Sequence, residues 1–222
     1  MRRMVAGLMA VLLLCICTAC GSQPAQGENS TAVSAQNDNG TNAGTEESET
    51  EESEVIESME ENISNILVAY FSRTGNTEVL AEMIEEQTGG NLFEITPAEP
   101  YPEDYDETVE RFRRERDENA RPEISSSVED ITQYDVVFVG FPNWGDDMPH
   151  IVYTFLEQYD FSGKTLIPFC TNGGGGFGNS IAGLESTCPD SMIAEGFECS
   201  GSNVENETDE VVDWIASLGL EE

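Results

Sequence analysis

The sequence predicts an α/β fold built on a doubly wound, five-stranded parallel sheet with helices on both faces. Short unbroken apolar runs, as expected for strands buried on both sides, alternate five times with segments of helical periodicity over residues 63–222. That alternation is typical of repeated strand–helix–strand units. A segment of this length also fits one domain around one hydrophobic core.

The N-terminal residues 1–20 are predicted to be a lipoprotein-type signal peptide. Two arginines precede an apolar run that ends in small residues, the layout of a secretory signal. The sequence CTAC before Gly21 resembles the lipobox of bacterial lipoproteins, although Cys17 stands where Leu is usual. This resemblance implies lipid on Cys20 and anchoring to the extracytoplasmic face of a bacterial cell membrane. An ordinary signal peptide is the alternative, and both predict export.

Residues 21–62 are predicted to form an acidic disordered tether. From Gly21 to Glu60 the chain has ten Asp or Glu, no Lys or Arg and no aromatic residue. Such a composition buries too little apolar surface to offset the conformational entropy lost on ordering.

The charge of the chain argues against two classes of partner. Its 44 Asp and Glu against 9 Lys and Arg give a formal net charge of −35 at pH 7. A field of this sign repels nucleic acid and anionic lipid, so membrane contact is expected only through the N-terminal lipid. We interpret most of the charge as solvated surface.

Cysteine and histidine usage argues against a zinc site. Beyond Cys20, the exported part contains Cys170, Cys188 and Cys199, which allow at most one disulfide. There is no CxxC spacing, and His150 is the only histidine. Cys170 either touches a ligand or is buried as a small apolar residue, and we favour burial.

The first half of the domain contains two predicted strands and two predicted helices. ILVAYF (66–71) is the first strand, and Gly89 and Gly90 end the helix that follows it. This helix has the apolar residues Val79, Leu80, Met83 and Ile84. The second strand is NLFEIT (91–96). A polar helix over residues 106–119 is interpreted as solvent-facing and held by charge pairs one turn apart. Its four arginines are alternatively a patch for an acidic partner.

The second half repeats the pattern with three strands and three helices. The strands are YDVVFVGFP (134–142), KTLIPFCTN (164–172) and a weaker MIAEGFEC (192–199). The helices are IVYTFLEQY (151–159), NSIAGLEST (179–187) and NETDEVVDWIASLG (206–219). The last helix is predicted to bury Val211, Val212, Ile215 and Leu218.

Three unusual loops follow the first, third and fourth strands, so they are expected at the sheet edge where ligands bind in open α/β sheets. In the first loop, Ser72–Thr77, hydroxyl and amide side chains and Gly75 precede a helix N-terminus, which favours a phosphate. The lysine of GxxxxGK[ST] and the GxGxxG pattern are both missing, which points to a phosphomonoester. A capped strand-to-helix turn without a ligand is the alternative.

The other two loops have features that a flat ligand explains. In Pro142–Pro149, Trp144 either covers the sheet edge or stacks on an aromatic ring. In Thr171–Gly178, five glycines indicate either a close approach of backbone to a planar group or flexibility. A phosphate cradle, an aromatic platform and a glycine-lined slot together describe a site for flavin mononucleotide (FMN).

The motifs VAYFSRTGNT, PNWGDDMP and IPFCTNGGGG resemble those of flavodoxins, specifically the flavodoxin-like bacterial lipoproteins, over about residues 65–220. The chain resembles the short-chain type because no insertion splits the fifth strand. The resemblance implies the strand order 2-1-3-4-5 and FMN as cofactor. The middle motif has one Trp where those relatives have two, and GDD where they have GD, so the stacking partner of the flavin stays open.

The resemblance also implies roles for individual residues. The expected phosphate-binding residues are Ser72, Arg73, Thr74, Gly75, Asn76 and Thr77. The residues expected along the flavin ring are Pro142, Asn143, Trp144 and Gly145 on one side and Thr171, Asn172, Gly173 and Gly174 on the other. Asp146, Asp147 and the overall negative field are expected to disfavour the reduced, anionic flavin.

These features predict a low-potential electron-transfer protein whose redox partner proteins have basic docking surfaces. One alternative is an FMN-dependent reductase of quinone-type acceptors, for which His150 is a protic candidate, although we interpret this histidine as plain surface. The other alternative is an extracellular binding module without flavin, which the altered tryptophan loop motivates.

Overall fold

A computed structural model describes residues 65–220 as a sheet of six parallel strands with five α-helices. The strands are β1 Ile66–Tyr70, β2 Asn91–Glu94, β3 Val136–Pro142, β4 Thr165–Asn172, β5 Met192–Ile193 and β6 Phe197–Ser200. The helices are α1 Asn76–Thr88, α2 Tyr105–Asp117, α3 His150–Gln158, α4 Ser180–Thr187 and α5 Thr208–Leu218. The predicted signal peptide and tether lie outside the described residues.

The strand order β2-β1-β3-β4-β5 confirms the predicted topology. Residues of β1 alternate between two cores: Leu67 and Ala69 belong to one, and Ile66, Val68 and Tyr70 to the other. Helices α1 and α5 cover one face, while α3 and α4 cover the other. Because β1, β3 and β4 are buried on both faces, their sequences are continuous apolar runs rather than alternating ones.

The fifth predicted strand is in fact two short strands. Ile193 pairs with Leu166 and Phe197 with Phe169, so four residue steps on the edge face three steps on β4. The edge therefore has one extra residue, as in a β-bulge. The break lies opposite Pro168, which has no N–H to donate to a neighbouring strand. No long insertion is involved, which agrees with the short-chain resemblance.

Helix α2 is not solvent-facing all round, contrary to the prediction. Phe112 and Glu115 are buried. The Glu115 carboxylate accepts hydrogen bonds from Tyr101 Oη at 2.8 Å and from Arg111 Nε at 2.7 Å. A charge pair one turn apart, Arg111 with Glu115, thus exists as predicted, but it is largely buried. Tyr101 lies before the helix, so the helical pattern alone did not reveal this partner.

In α5, Trp214 takes the place predicted for Val212. Val211, Trp214 and Ile215 are buried, whereas Val212 is 39% exposed. Positions i, i+3 and i+4 share one helix face, and Val212 lies about 100° away from Val211 around the axis. The indole Nε1 of Trp214 donates to Glu195 O at 3.2 Å, which satisfies its polar atom inside the core.

His150 is buried at 4% exposure, so its interpretation as a surface histidine was wrong. Its Nδ1 lies 2.9 Å from Ala120 O. Cys170, Cys188 and Cys199 are all free and buried, so the disulfide that the sequence allowed is not formed among them. Cys170 and Cys199 lie in the cores on opposite faces of the sheet, which explains why they do not pair. Within residues 65–220, no helix is both long and apolar enough to cross a membrane.

Candidate functional site

A cavity of about 380 Å³ lies at the carboxyl edge of the sheet, where the predicted loops meet. Most of the predicted site residues line it: Ser72, Arg73, Thr74, Asn76, Thr77, Pro142, Asn143, Trp144, Thr171, Asn172 and Gly173. Gly75, Gly145 and Gly174 belong to the same loops without lining the cavity. The structure therefore brings together all three predicted loops, and His150 is not among the lining residues.

The first loop turns into α1 through Gly75, which adopts φ 90°. The Gly75 N–H donates to Ser72 Oγ at 3.1 Å, which closes the turn. No side chain within residues 65–220 forms a capping hydrogen bond at the start of α1. The N–H groups of its first turn can therefore donate hydrogen bonds to a ligand. A helix start of this kind favours an anion.

Two residues of this loop also tie it to its surroundings. The buried Thr77 Oγ1 lies 2.8 Å from Thr171 Oγ1, so this hydroxyl joins α1 to the end of β4. The Arg73 guanidinium donates to Pro102 O through Nε at 3.1 Å and through Nη2 at 2.9 Å. Arg73 is thereby held at the cavity by the segment that precedes α2.

The second loop contains a tight turn with Trp144 at its start. Trp144 N donates to Asp147 O at 2.8 Å, and Asp147 N donates back to Trp144 O at 3.3 Å. The two central residues, Gly145 and Asp146, have φ of 59° and 68°. Two positive φ values are typical of a type I′ turn, for which Gly and Asp are suitable residues.

Trp144 is half-buried rather than exposed, because aromatic side chains hold its indole edge-on. Its ring centroid lies 5.6 Å from that of Phe71, 5.1 Å from Tyr101 and 5.9 Å from Phe112. Edge-to-face packing of this kind fixes the orientation of the ring. Trp144 thus both covers the sheet edge and presents a rigid surface to the cavity.

The third loop is bonded to the second loop. Asn143 Nδ2 donates to Gly176 O at 2.6 Å, and Asn179 N donates to Asp146 O at 2.7 Å. Asn172 Oδ1 accepts from Gly174 N at 2.6 Å. The glycine run is therefore held by hydrogen bonds on both sides, which favours close approach over simple flexibility.

Sequence reasoning missed a fourth loop and one aromatic residue. Ser200 at the end of β6 and the following Gly201 and Ser202 line the cavity, as does Tyr105 at the start of α2. A Cβ on Gly201 would lie 2.9 Å from Asn76 Nδ2, so a side chain there would displace the Asn76 amide of the first loop. The sequence CSGSN (199–203) contained a signal for this loop. Its small polar residues lie at the end of a parallel strand, and the carboxyl ends of parallel strands meet at the same edge of the sheet.

The buried groups beside the cavity stay neutral at physiological pH. Burial, and secondarily the negative charge of Glu198, raises the pKa of the Cys170 thiol to about 12. Burial, with help from Glu78 and Glu94, raises the pKa of Tyr70 to about 12. Because nucleophilic cysteine chemistry needs a thiolate, Cys170 acts as a core residue and not as a reactive group.

Fold and site together define a doubly wound α/β protein with an uncapped helix start and an aromatic wall at the switch edge of its sheet. Residues 65–218 match the family model described as flavodoxin, and the chain belongs to this family.

Known relatives agree with this assignment. The chain is 40% identical to a putative flavoprotein of Bacteroides eggerthii DSM 20697 whose crystal structure is known, covering 67% of this chain and 98% of that one, with a TM-score of 0.57. A flavoprotein of Lactobacillus acidophilus NCFM, solved in complex with FMN, shares the fold at 22% identity and a TM-score of 0.55, covering 64% of this chain and 97% of that one.

A curated relative extends the comparison to another genus. The chain is 31% identical over 111 residues to probable flavodoxin 2 of Bacillus subtilis (strain 168). The alignment covers 48% of this chain and 59% of the relative, so it spans less than two thirds of that protein.

Proposed function

We propose that this protein binds FMN and transfers electrons as a flavodoxin. The observation that carries this proposal is the convergence of four loops, with an uncapped helix start and a fixed tryptophan, on one cavity of about 380 Å³. When bound, FMN would supply the redox chemistry by accepting and releasing electrons. The flavoprotein from Lactobacillus acidophilus, which shares the fold, was solved with FMN, and this supports the same cofactor here.

The chemistry of the cavity lining fits a phosphomonoester. No Asp or Glu is among the lining residues, although the chain has 44 of them. Hydroxyl groups of Ser72 and Thr74 and the first-turn N–H groups of α1 are the donors that would hold a phosphate. Trp144 and the backbone near Gly173 would border the flavin ring. The space beside Gly173 is open, since a Cβ there would meet nothing within 4 Å.

Negative charge close to the cavity supports a low reduction potential. Asp146 is exposed in the turn that holds Trp144. The Asp147 carboxylate accepts from Met148 N at 2.8 Å and from Tyr153 Oη at 3.0 Å, so its position is fixed. Both charges oppose the arrival of further negative charge nearby.

The reductase alternative has less support because His150, its protic candidate, is buried against Ala120 and does not line the cavity. The flavin-free alternative was motivated by the altered tryptophan loop. Trp144 nevertheless lies on the cavity wall, so the altered loop is a weaker argument for a protein without flavin.

The test is a titration of the full chain with FMN, followed by absorption and flavin fluorescence. We expect quenched fluorescence and saturation at about micromolar FMN, with riboflavin binding at least about tenfold more weakly because it lacks the phosphate. Thr74→Val removes one hydroxyl donor and should weaken FMN but not riboflavin. No binding at about 100 μM FMN would refute the proposal.

We further propose that the protein is exported and lipid-anchored through Cys20, and that it acts on redox proteins with basic docking surfaces. The signal-peptide layout of residues 1–20 supports the first point, and the net charge of −35 supports the second. Fractionation of cells expressing the native chain or Cys20→Ala tests the anchor. The native chain should sediment with membranes and the variant should not; equal distribution of the two would contradict the anchor.

A further inference from the structure

Arg73 in the first loop directs one edge of its guanidinium group to backbone carbonyl groups. Its Nε and Nη2 donate to Pro102 O at 3.1 and 2.9 Å, and Nη2 also donates to Glu103 O. Within residues 65–220, Arg73 forms no ion pair. The adjacent Nε and Nη2 donors form the fork with which an arginine binds a carboxylate or phosphate in bidentate fashion. Here that fork holds the backbone of the segment before α2.

This segment, Tyr101–Tyr105, is called the α2 entry segment below. The Pro102 carbonyl also accepts from Thr108 Oγ1 at 2.8 Å, and Asp104 Oδ1 accepts from Glu107 N at 3.0 Å. Both of these bonds join the segment to its own helix. Among the hydrogen bonds within residues 65–220, those of Arg73 join the segment to the first loop.

The α2 entry segment has an aromatic residue at each end, and both lie at the cavity wall. The Tyr101 ring centroid is 5.3 Å from that of Phe71 and 5.1 Å from that of Trp144. Tyr105 lines the cavity and is 72% exposed. A shift of the segment would therefore change the packing that fixes Trp144 and the position of Tyr105.

Two roles for Arg73 have to be distinguished. The resemblance to flavodoxins implies a contact with the phosphate, in addition to the donors from Ser72, Thr74 and the first turn of α1. Such a contact would act through positive charge, and lysine would preserve most of it. A contact that holds the α2 entry segment acts through the geometry of the fork, which lysine lacks.

We propose that Arg73 is a positioning residue that fixes the α2 entry segment through Pro102. The segment in turn orients the aromatic wall of the cavity, formed by Tyr101, Tyr105 and Trp144. The effect on flavin rests on the proposed function. The contact between Arg73 and the segment is independent of it and is measured without flavin.

The test compares the native full chain with three variants. Arg73→Lys keeps the charge and loses the fork, whereas Arg73→Gln loses both. Arg114→Gln is the matched control, because Arg114 is an exposed arginine on α2 that forms no ion pair within residues 65–220. FMN and riboflavin are titrated into each protein, and the residual flavin fluorescence is recorded at saturation. Hydrogen exchange of residues 98–108 is followed by mass spectrometry without flavin.

Both Arg73 variants should bind FMN and riboflavin more weakly by the same factor, at least about fivefold, because the wall beside the ring is displaced. The FMN-to-riboflavin affinity ratio should stay at its native value. Residual fluorescence at saturation should rise, since a displaced Trp144 quenches the flavin less. Without flavin, residues 98–108 should exchange faster in both variants. Arg114→Gln should match the native chain throughout, and exchange in β3 should be unchanged in every protein, which excludes general unfolding.

A selective loss of FMN in Arg73→Gln, with recovery in Arg73→Lys, would overturn the inference and assign Arg73 to the phosphate. Native exchange of residues 98–108 in both Arg73 variants would also overturn it, and would leave FMN binding by the native chain untouched. An equal loss in Arg114→Gln would reduce the effect to net charge. A native chain that binds neither flavin would refute the proposed function, and faster exchange in the Arg73 variants would still support the contact with the segment.

Discussion

At the scale of single residues, the contact between the tryptophan turn and the glycine loop depends on the absence of one side chain. Gly178 has φ 55°, and a Cβ there would lie 2.6 Å from the Asp146 carbonyl carbon. The neighbouring Asn179 N–H donates to the carbonyl oxygen of the same Asp146. Glycine therefore lets two loops that are distant in sequence meet backbone to backbone.

Gly178→Ala should destabilise the fold and weaken FMN binding, because it adds both left-handed strain and a clash with backbone. We expect a loss of about 2–4 kcal/mol in the free energy of unfolding, measured with urea. Gly163→Ala is the control: its φ is 77°, but a Cβ there would meet nothing within 4 Å. It should lose only about 1 kcal/mol. Equal losses of unfolding free energy in the two variants would mean that the backbone around Asp146 moves and relieves the clash with residue 178.

Asp146→Asn should raise the midpoint potential of bound FMN, because it removes a negative charge beside Trp144 without disturbing the turn. Asn adopts the left-handed conformation readily, so the φ of 68° at this position is preserved. Redox titration of the flavin-loaded native and variant proteins measures the shift. An unchanged potential would show that Asp146 is screened by solvent and that other charges set the potential.

At the scale of secondary structure, α2 is held by a buried polar group and not by its surface charges. Glu115 lies under Tyr101 and Arg111, and the Arg111 guanidinium stacks 4.1 Å from the centre of the Tyr101 ring. Tyr101 also packs on Trp144. Helix α2 is thus connected to the aromatic wall of the flavin cavity.

Tyr101→Phe should destabilise the protein by about 1–3 kcal/mol, because one oxygen of the buried Glu115 carboxylate loses its hydroxyl donor. Urea unfolding at neutral pH measures the change. Tyr105→Phe is the control, because Tyr105 is 72% exposed at the start of α2. Its free energy of unfolding should stay within about 0.5 kcal/mol of that of the native chain. If Tyr101→Phe were equally neutral, water would have to satisfy Glu115 and the helix would not depend on this contact.

At the scale of the whole molecule, three buried thiols couple stability to alkaline pH. Burial raises the pKa of Cys170 and of Cys199 to about 12 and that of Cys188 to about 11, from the ordinary 9.0. The unfolded chain loses these protons at lower pH than the folded chain does, so the thiols contribute fully to the free energy of unfolding below pH 9. This contribution is lost as the pH rises from 9 through 11 to 12.

Urea unfolding at several pH values between about 7.5 and 10.5 should therefore show stability falling above about pH 9, by up to about 1.4 kcal/mol per pH unit for each thiol. Cys188→Ala should have a shallower decline than the native chain. A native chain whose stability stays flat over this range would mean that its thiols ionise without unfolding.

The negative field of the whole chain should govern association with basic partners. Electron transfer from the reduced protein to cytochrome c, a basic protein, should slow as the salt concentration rises, because salt screens the charges that steer encounter. Stopped-flow measurements at several ionic strengths test this. An uncharged small acceptor is the control and should show little dependence. A salt-independent rate with cytochrome c would show that the net charge of −35 does not guide docking.

The strand order was predicted from the family resemblance of the three motifs. By itself, the sequence determined the strands, the helix positions and the three loops of the cavity. These features follow from local properties: apolar runs in buried strands, period 3.6 in helices, and glycine, hydroxyl and amide residues where strands end. Gly89, for example, was expected to end α1 and does so at φ 61°.

Only the tertiary structure decided which polar residues are buried and which further residues reach the site. His150 is buried by contact with Ala120, Glu115 by Tyr101, and Ser200–Ser202 reach the cavity because β6 pairs with β4. The exclusion of acidic side chains from the lining of the cavity is also visible only in three dimensions. The physical reason is that burial and electric field depend on contacts between segments far apart in the chain, whereas hydrophobic periodicity and turn chemistry are properties of neighbouring residues.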